Sequence, residues 1–540
     1  MKKILKKNIS CIILTLLIII TFSLEWIVVM HPANHSELPT GYNMDNVIKH
    51  LKEISKEPHS TLYHQQAKVR VCTYIENELK KCGVIIQEYN YYNIPTRKNI
   101  DVNLTNIYGV LDAPNENEKY LLLMAHYDSA GSNPQEDTGF SCGMADDGYG
   151  IATIIETIRF IKANQNQMEL GIKVLITDGE EIGLLGSEQA VKNNPELFDN
   201  VVAAINIEAR GTSGPVLCIG MNGNESNILN WYKKSNVNSA NSIVTSLYGE
   251  GDRSDFFNLR KLDIPGIDIA AIDKVENYHT TRDSIQNMDI TTLHQYGCIV
   301  ATLTENLVTG KSPASFDTDK SQATFPLFGN ISVKCDLSTL ITFNVISIVI
   351  SIIVVIRKAL KSNNKIVLLK AFIRKLIVGL TTLLLLTLTA FILSLITGTT
   401  FILAHMGSFA GDHLIMILFP IVAALFIVMK GYKCGTDVET ERTAFLCSLT
   451  ILCIFTVAFI PAAGFIFLAH PLYAVACWVS NELISKILWG IALIISTVFL
   501  AQIVVLLYMA FSIAMLGVCS WIIGLIAYGI RAIRTPFKSN

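Results

Sequence analysis

The chain has 540 residues, a formal net charge of −2, and 51% hydrophobic against only 16% charged residues. A mean hydropathy of +0.42 excludes a wholly soluble protein. The near-balanced charge offers no electrostatic footprint for nucleic acid or another polyanion.

The first element is a membrane span. Lys2, Lys3, Lys6 and Lys7 precede residues 9–30, an apolar stretch interrupted only by Glu25. Twenty-odd apolar residues cross a bilayer, and the stretch exceeds the usual signal-peptide core of about 7–15 residues. No small-x-small cleavage site follows, so residues 1–31 read as a signal anchor. Its lysines place the N-terminus in the cytoplasm and the following domain outside or in a lumen.

Residues 32–310 read as one extracytoplasmic domain, opening with helices over 46–83. Leu121 to Ala125 is a short apolar run, predicted as a buried parallel strand with His126 and Asp128 at its C-terminal mouth. Residues two apart on an extended chain point the same way, so His126 can bind a metal while the Asp128 carboxylate orients the ring or a neighbouring ligand. Gly143-Met144-Ala145-Asp146-Asp147 then leads into helical periodicity over 151–161.

A second strand, Val174 to Thr177, runs out into Asp178-Gly179-Glu180-Glu181. Adjacent carboxylates on a turning chain diverge, so one can hold a metal while the other faces substrate as a base. A third strand over 201–205 delivers Glu208, with Arg210 two residues on, and a fourth over 264–269 leads toward Tyr278-His279. A helix over 291–307 closes the domain. The alternation predicts an α/β fold with a mostly parallel central sheet and helices on both faces, whose strand ends are where ligands bind.

Residues 311–336, rich in Ser, Pro, Asp and Thr at their start, read as a linker. Residues 337–530 read as an all-α multi-span membrane domain. Its spans fall at about 337–356, 376–396 and 413–429, with two more in 443–480 and two in 487–530, giving eight with the anchor. Arg357, Lys358, Lys361, Lys365, Lys370, Arg374 and Lys375 fall between the second and third spans, whereas residues 398–412 hold no Lys or Arg. A hairpin broken near Pro461-Ala462-Ala463-Gly464 puts Lys486 and the basic tail 531–540 on the inside.

Taken singly each motif has a plainer reading: a capped surface His, a solvated Glu pair at a helix start, an Asp N-cap. Five in this order resemble the two-zinc aminopeptidases of metallopeptidase family 28, within them the endoplasmic-reticulum and vacuolar membrane metallopeptidases. The likeness covers roughly residues 45–308. It implies a zinc exopeptidase-like fold of the phosphorylase/hydrolase-like kind and two zinc ions. His126, Asp146 and Glu208 would hold one ion, and Asp146, Glu181 and His279 the other.

The resemblance makes Glu180 the general base, alongside Asp128. It makes Tyr278 and Arg210 groups that steady an oxyanion or a substrate carboxylate, and Asp283 a structural acid fixing the His279 loop. Met144 and Ala145 depart from the family's usual order beside Asp146, and Gly148 stands where a small Ala is common. Glu208 stands where many secreted relatives have Asp. The membrane half here is shorter than in the eukaryotic proteins it resembles.

The implied function is a membrane-anchored aminopeptidase acting on peptide or protein substrates at a bilayer. Its location would be the cell surface in a bacterium, or the lumen of the endoplasmic reticulum or vacuole in a eukaryote. A glutaminyl-cyclase-like enzyme and an inactive receptor or scaffold on a transporter are the alternatives. The complete ligand set argues against the former, and spans read as free of Asp, Glu, Lys and Arg against the latter. His405, His413 and His470 read as interfacial residues near span ends.

Cys72, Cys82, Cys142, Cys218, Cys298 and Cys335 would face an oxidising side, with pairing open. Cys142 lacks both a neighbouring His base and a Cys-x-x-Cys spacing, so it reads as a loop residue. Asn34, Asn103, Asn224 and Asn330 begin glycosylation sequons.

Overall fold

The computed structural model describes residues 2–31, 36–115, 117–131, 139–237, 239–249, 254–312, 316, 321–327, 331–362, 365–397, 412–431 and 437–533. They form two compact units, Met30–Val333 and a second made of Met1–Val29 with Lys334–Asn540.

The first unit is built on a seven-stranded sheet. Its strands are β1 (Ile85–Pro95), β2 (Asp101–Leu111), β3 (Tyr120–His126), β4 (Gly171–Thr177), β5 (Val201–Ala209), β6 (Ser213–Asn222) and β7 (Gly266–Asp273). Their order is β1-β2-β4-β3-β5-β7-β6. The four central strands β4, β3, β5 and β7 are parallel, whereas β1, β2 and β6 pair antiparallel at the two sides.

Side-chain parity along β3 explains why its sequence is an unbroken apolar run. Leu121, Leu123 and Ala125 join a core with Ile154 and Ile158 of helix Gly148–Ala163 and Leu303 of helix Ile290–Val308. Leu122 and Met124 face a second core with Leu175, Ala190, Phe256 and Leu259. Both faces are covered, so no position is left for a polar residue until the strand ends at His126. Each such buried Leu contributes roughly 1.5–3 kcal/mol.

The helices anticipated over 46–83 are Met44–Ile54 and Gln65–Lys81. The stretch anticipated as an irregular linker instead contains a two-stranded sheet, β8 (Gln322–Pro326) with β9 (Ser332–Asp336). Gln322, Ala323, Thr324 and Phe325 are buried there, so the segment adds to packing rather than only spanning distance.

In the second unit, six described helices are long and apolar enough to cross a membrane. The bent pair Pro461–Phe467 and His470–Trp478 makes a seventh if it is one span, and Leu418–Lys430 is a shorter apolar helix. Eight is reached only by counting both.

Charge also lies deeper than expected within this unit. Glu25 is fully buried and accepts from Gln502 Nε2 at 2.8 Å. Lys375 and Glu441, on helices Lys365–Thr397 and Val438–Phe459, form a buried ion pair that also receives the Tyr528 hydroxyl. His470 is buried rather than interfacial, with Ser347 Oγ at 2.9 Å and Thr450 Oγ1 at 3.1 Å from its ring nitrogens. His405 lies outside the described residues.

Candidate metal centre

The C-terminal ends of the four parallel strands converge, and each supplies part of one cluster. His126 is the last residue of β3, Glu208 the penultimate residue of β5, and Glu180 and Glu181 follow β4. His279 follows β7 after a short 3-10 turn over Val275–Asn277. Asp146 sits on the loop before helix Gly148–Ala163, whose N-terminus is capped by Asp147 accepting from the Gly150 N–H. A side chain at residue 150 would collide with the Asp147 carboxylate, so the cap requires glycine there.

Asp146 lies at the centre. Its Oδ1 is 3.3 Å from His126 Nε2, and its Oδ2 is 3.2 Å from His279 Nε2. Glu208 Oε2 stands 3.7 Å from His126 Nε2, and Glu181 Oε2 stands 3.0 Å from His279 Nε2. Two three-residue groups share Asp146: His126, Asp146 and Glu208 in one, and Asp146, Glu181 and His279 in the other. Glu180 has an oxygen within 4.8 Å of the His126 and Glu181 ligand atoms. The Asp146–Asp147 peptide bond is cis.

Asp128 is buried beside His126, with its carboxylate Oδ1 3.6 Å from His126 Nδ1. The main-chain oxygen of Asp128 lies closer, 3.0 Å from the same nitrogen. A proton on Nδ1 donated there leaves Nε2 to face Asp146. The carboxylate also accepts the main-chain N–H groups of Glu180 and Glu181, at 3.0 and 3.3 Å, and so holds a neighbouring ligand residue as expected of it.

The Asp283 carboxylate bonds a different loop from the expected His279 loop. It accepts from Ala145 N at 2.7 Å, Asp146 N at 3.4 Å and Ser141 Oγ at 3.0 Å, so its carboxylate braces the Asp146 loop. Tyr278 stacks on His279 with ring centroids 3.7 Å apart, and the Arg210 guanidinium lies over the Tyr278 ring at 5.8 Å.

Burial and crowding act on the charges in opposite directions. Burial pushes Glu180 and Glu208 well above the carboxylate range, and raises Glu181 to about 7 against the pull of His279. Burial would lower His279, yet Glu181 and Asp146 hold it at about 10. It would lower His126 too, but Asp128 and Asp146 outweigh it. Asp146 goes the other way: burial would raise it, but the two imidazoles hold it well below its usual value.

Such a site favours positive charge between its ligands. Asp146 Oδ2 and Glu181 Oε1 are buried and receive no hydrogen bond from a described residue. Donors about 2.0–2.2 Å from a tetrahedral ion stand roughly 3.3–3.6 Å apart. The observed separations, from 3.0 to 3.7 Å, bracket that spacing. The imidazole and carboxylate donors therefore fit zinc.

Residues 106–304 match the model of Peptidase family M28. Over that stretch the chain is similar to family M28. A vacuolar membrane protease of Candida dubliniensis is 28% identical over 275 residues, spanning 48% of this chain but only 28% of that protein. Among solved structures, a Porphyromonas gingivalis glutaminyl cyclase is similar with a TM-score of 0.42 and 19% identity, covering 49% of this chain and 99% of that one. A Zn-dependent exopeptidase from Parabacteroides distasonis also has a TM-score of 0.42, at 20% identity, with 50% and 100% covered.

The M28 match contains every sequence-derived site residue from His126 to Asp283. It leaves out His59, Thr61 and Lys68, which the fold brings up behind the site. The His59 N–H donates to Ser129 Oγ at 2.9 Å, and Thr61 and Lys68 both reach Asp178. Lys68 had a readable signal: it shares a helix face with the buried Val71, Cys72, Ile75 and Leu79. A cation on an apolar stripe needs a buried partner.

Cys72, Cys82, Cys142, Cys218, Cys298 and Cys335 are free thiols. Asn224 is buried as the cap of helix Glu225–Tyr232, whereas Asn103 is exposed. Asn34 and Asn330 lie outside the described residues.

Proposed function

We propose that the protein is a membrane-anchored, two-zinc aminopeptidase with its catalytic unit on the extracytoplasmic side, hydrolysing the peptide bond next to a free N-terminus. The reading rests most on Asp146, whose two carboxylate oxygens face two separate His-containing groups. His126 and Glu208 would complete one site, and Glu181 and His279 the other. When bound, zinc supplies Lewis acidity, polarising a carbonyl and making water acidic near neutral pH.

Glu180 acts as the general base. Burial raises its proton affinity, and in this role it accepts a proton from the attacking water and returns it to the departing amine. Asp128 holds the main chain of Glu180 and so fixes where its side chain departs from the turn. Tyr278, stacked on His279 and flanked by Arg210, supplies a donor and a nearby positive charge for the oxyanion of the cleaved carbonyl.

The test compares unblocked and N-acetylated peptides with the full-length protein in detergent. Cleavage of the unblocked peptide alone supports the aminopeptidase. Equal cleavage of both removes the amine requirement, and ring closure of N-terminal glutamine without hydrolysis makes the protein a cyclase.

A further inference from the structure

The Asp178-Gly179-Glu180-Glu181 turn is clamped from two sides. On one side Asp128 holds the N–H groups of Glu180 and Glu181. On the other, the fully buried Asp178 carboxylate accepts from Lys68 Nζ at 2.6 Å, from Thr105 N at 3.0 Å and from the Thr61 hydroxyl. The Asp178 N–H donates to Asn106 Oδ1 at 3.0 Å, and Asn106 Nδ2 reaches Gly186 O at 2.8 Å, past the turn. Gly179 has φ +76°, and a Cβ there would lie 2.8 Å from Leu104, so the chain reverses without room to adjust.

Lys68 is the unexpected member. It is only 4% exposed, on helix Gln65–Lys81, more than 100 residues before the turn it contacts. Removing an ammonium and a carboxylate from water carries a desolvation cost that their attraction does not always recover, and apolar pairs often replace such ion pairs without loss of stability. What an apolar pair cannot do is fix a carboxylate in one orientation through a charged, directional hydrogen bond.

We propose that Lys68 is a positioning residue for the catalytic turn: through Asp178 it sets where Glu180 and Glu181 lie relative to His126 and His279. The inference rests on the aminopeptidase reading and adds the source of the turn's rigidity. Lys68 touches neither substrate nor metal. Its loss lets Asp178 rotate, and the displacement passes through Gly179 to the base and its neighbour.

The experiment uses the full-length protein in detergent, with Lys68→Met, Asp178→Asn and the double variant Lys68→Met/Asp178→Asn. Three quantities are read: kcat and KM on an unblocked peptide, the rate of zinc loss to a chelator, and the thermal midpoint. Lys68→Met is expected to lower kcat about 10–100-fold with KM within about twofold, and to speed zinc loss by a similar factor. The double variant removes the unpaired buried charge, so it recovers the thermal midpoint but not kcat or zinc retention.

A folded Lys68→Met with wild-type kcat and zinc retention would overturn the proposal. So would a double variant in which kcat returns together with stability, since Lys68 would then serve charge balance alone. If Lys68→Met does not fold, the double variant decides by the same criteria. A wild type that cleaves neither peptide sinks the aminopeptidase reading instead, and zinc retention across the variants still judges the role of Lys68.

Discussion

The Glu180 N–H donates to Asp128 Oδ1 at 3.0 Å, tying the end of β4 to the end of β3. Adjacent parallel strands stop at the same level here, with His126 paired in register with Thr177. Glu180, the proposed base, is therefore held on its main chain while its side chain carries no part of this tether.

Glu180→Gln keeps the size and the tether but removes the proton acceptor. Its kcat is expected to fall about 10²–10⁴-fold, with zinc content unchanged. Steady-state kinetics together with elemental analysis checks this. A variant retaining more than a tenth of wild-type kcat would remove Glu180 from the role of base.

Asp283→Ala should act on the metal rather than on the proton. The substitution strips three hydrogen bonds from the loop that carries Asp146. Zinc affinity is expected to drop about 10–100-fold, and activity should return in excess zinc. Chelator competition measures it, and unchanged affinity would show that the loop holds its shape without Asp283.

His59 gives the unit Met30–Val333 an acid sensitivity of its own. The ring is 2% exposed, and burial lowers its proton affinity to about 4, against an unfolded value near 6.5. The unfolded chain therefore binds the extra proton first, and stability is lost as pH falls from about 6.5 toward 4, by at most about 1.4 kcal/mol per pH unit. His59→Gln should flatten that part of the profile relative to wild type. Urea midpoints followed through Trp231, the only tryptophan of this unit, report it. Parallel profiles for the two proteins would mean His59 does not titrate in this window.

The central strands were legible because burial on both faces forces an uninterrupted apolar run, as in Leu121 to Ala125, and because chemistry begins where that run ends. β1, β2 and β6 were not, since side strands such as β1 alternate exposed and half-buried positions and carry Asn, Gln and Tyr. His126, Asp146, Glu181, Glu208 and His279 could be named from short motifs, each local to one strand end. The partners of Asp128, Asp178 and Asp283 could not. Those hydrogen bonds join segments as far apart as Lys68 and Asp178 or Ala145 and Asp283, and no local pattern records which distant donor a buried carboxylate will meet. Membrane charges escaped for a related reason: Lys375 and Glu441 look like loop residues until their helices pair them.

Zinc stoichiometry of the full-length protein, by elemental analysis, for wild type, His279→Ala and Asp146→Ala decides whether Asp146 bridges two ions. Two ions per chain are expected in the wild type, about one in His279→Ala, and well under one in Asp146→Ala, because the Asp146 carboxylate would serve both sites. A wild type holding a single ion that survives Asp146→Ala would contradict a bridging Asp146.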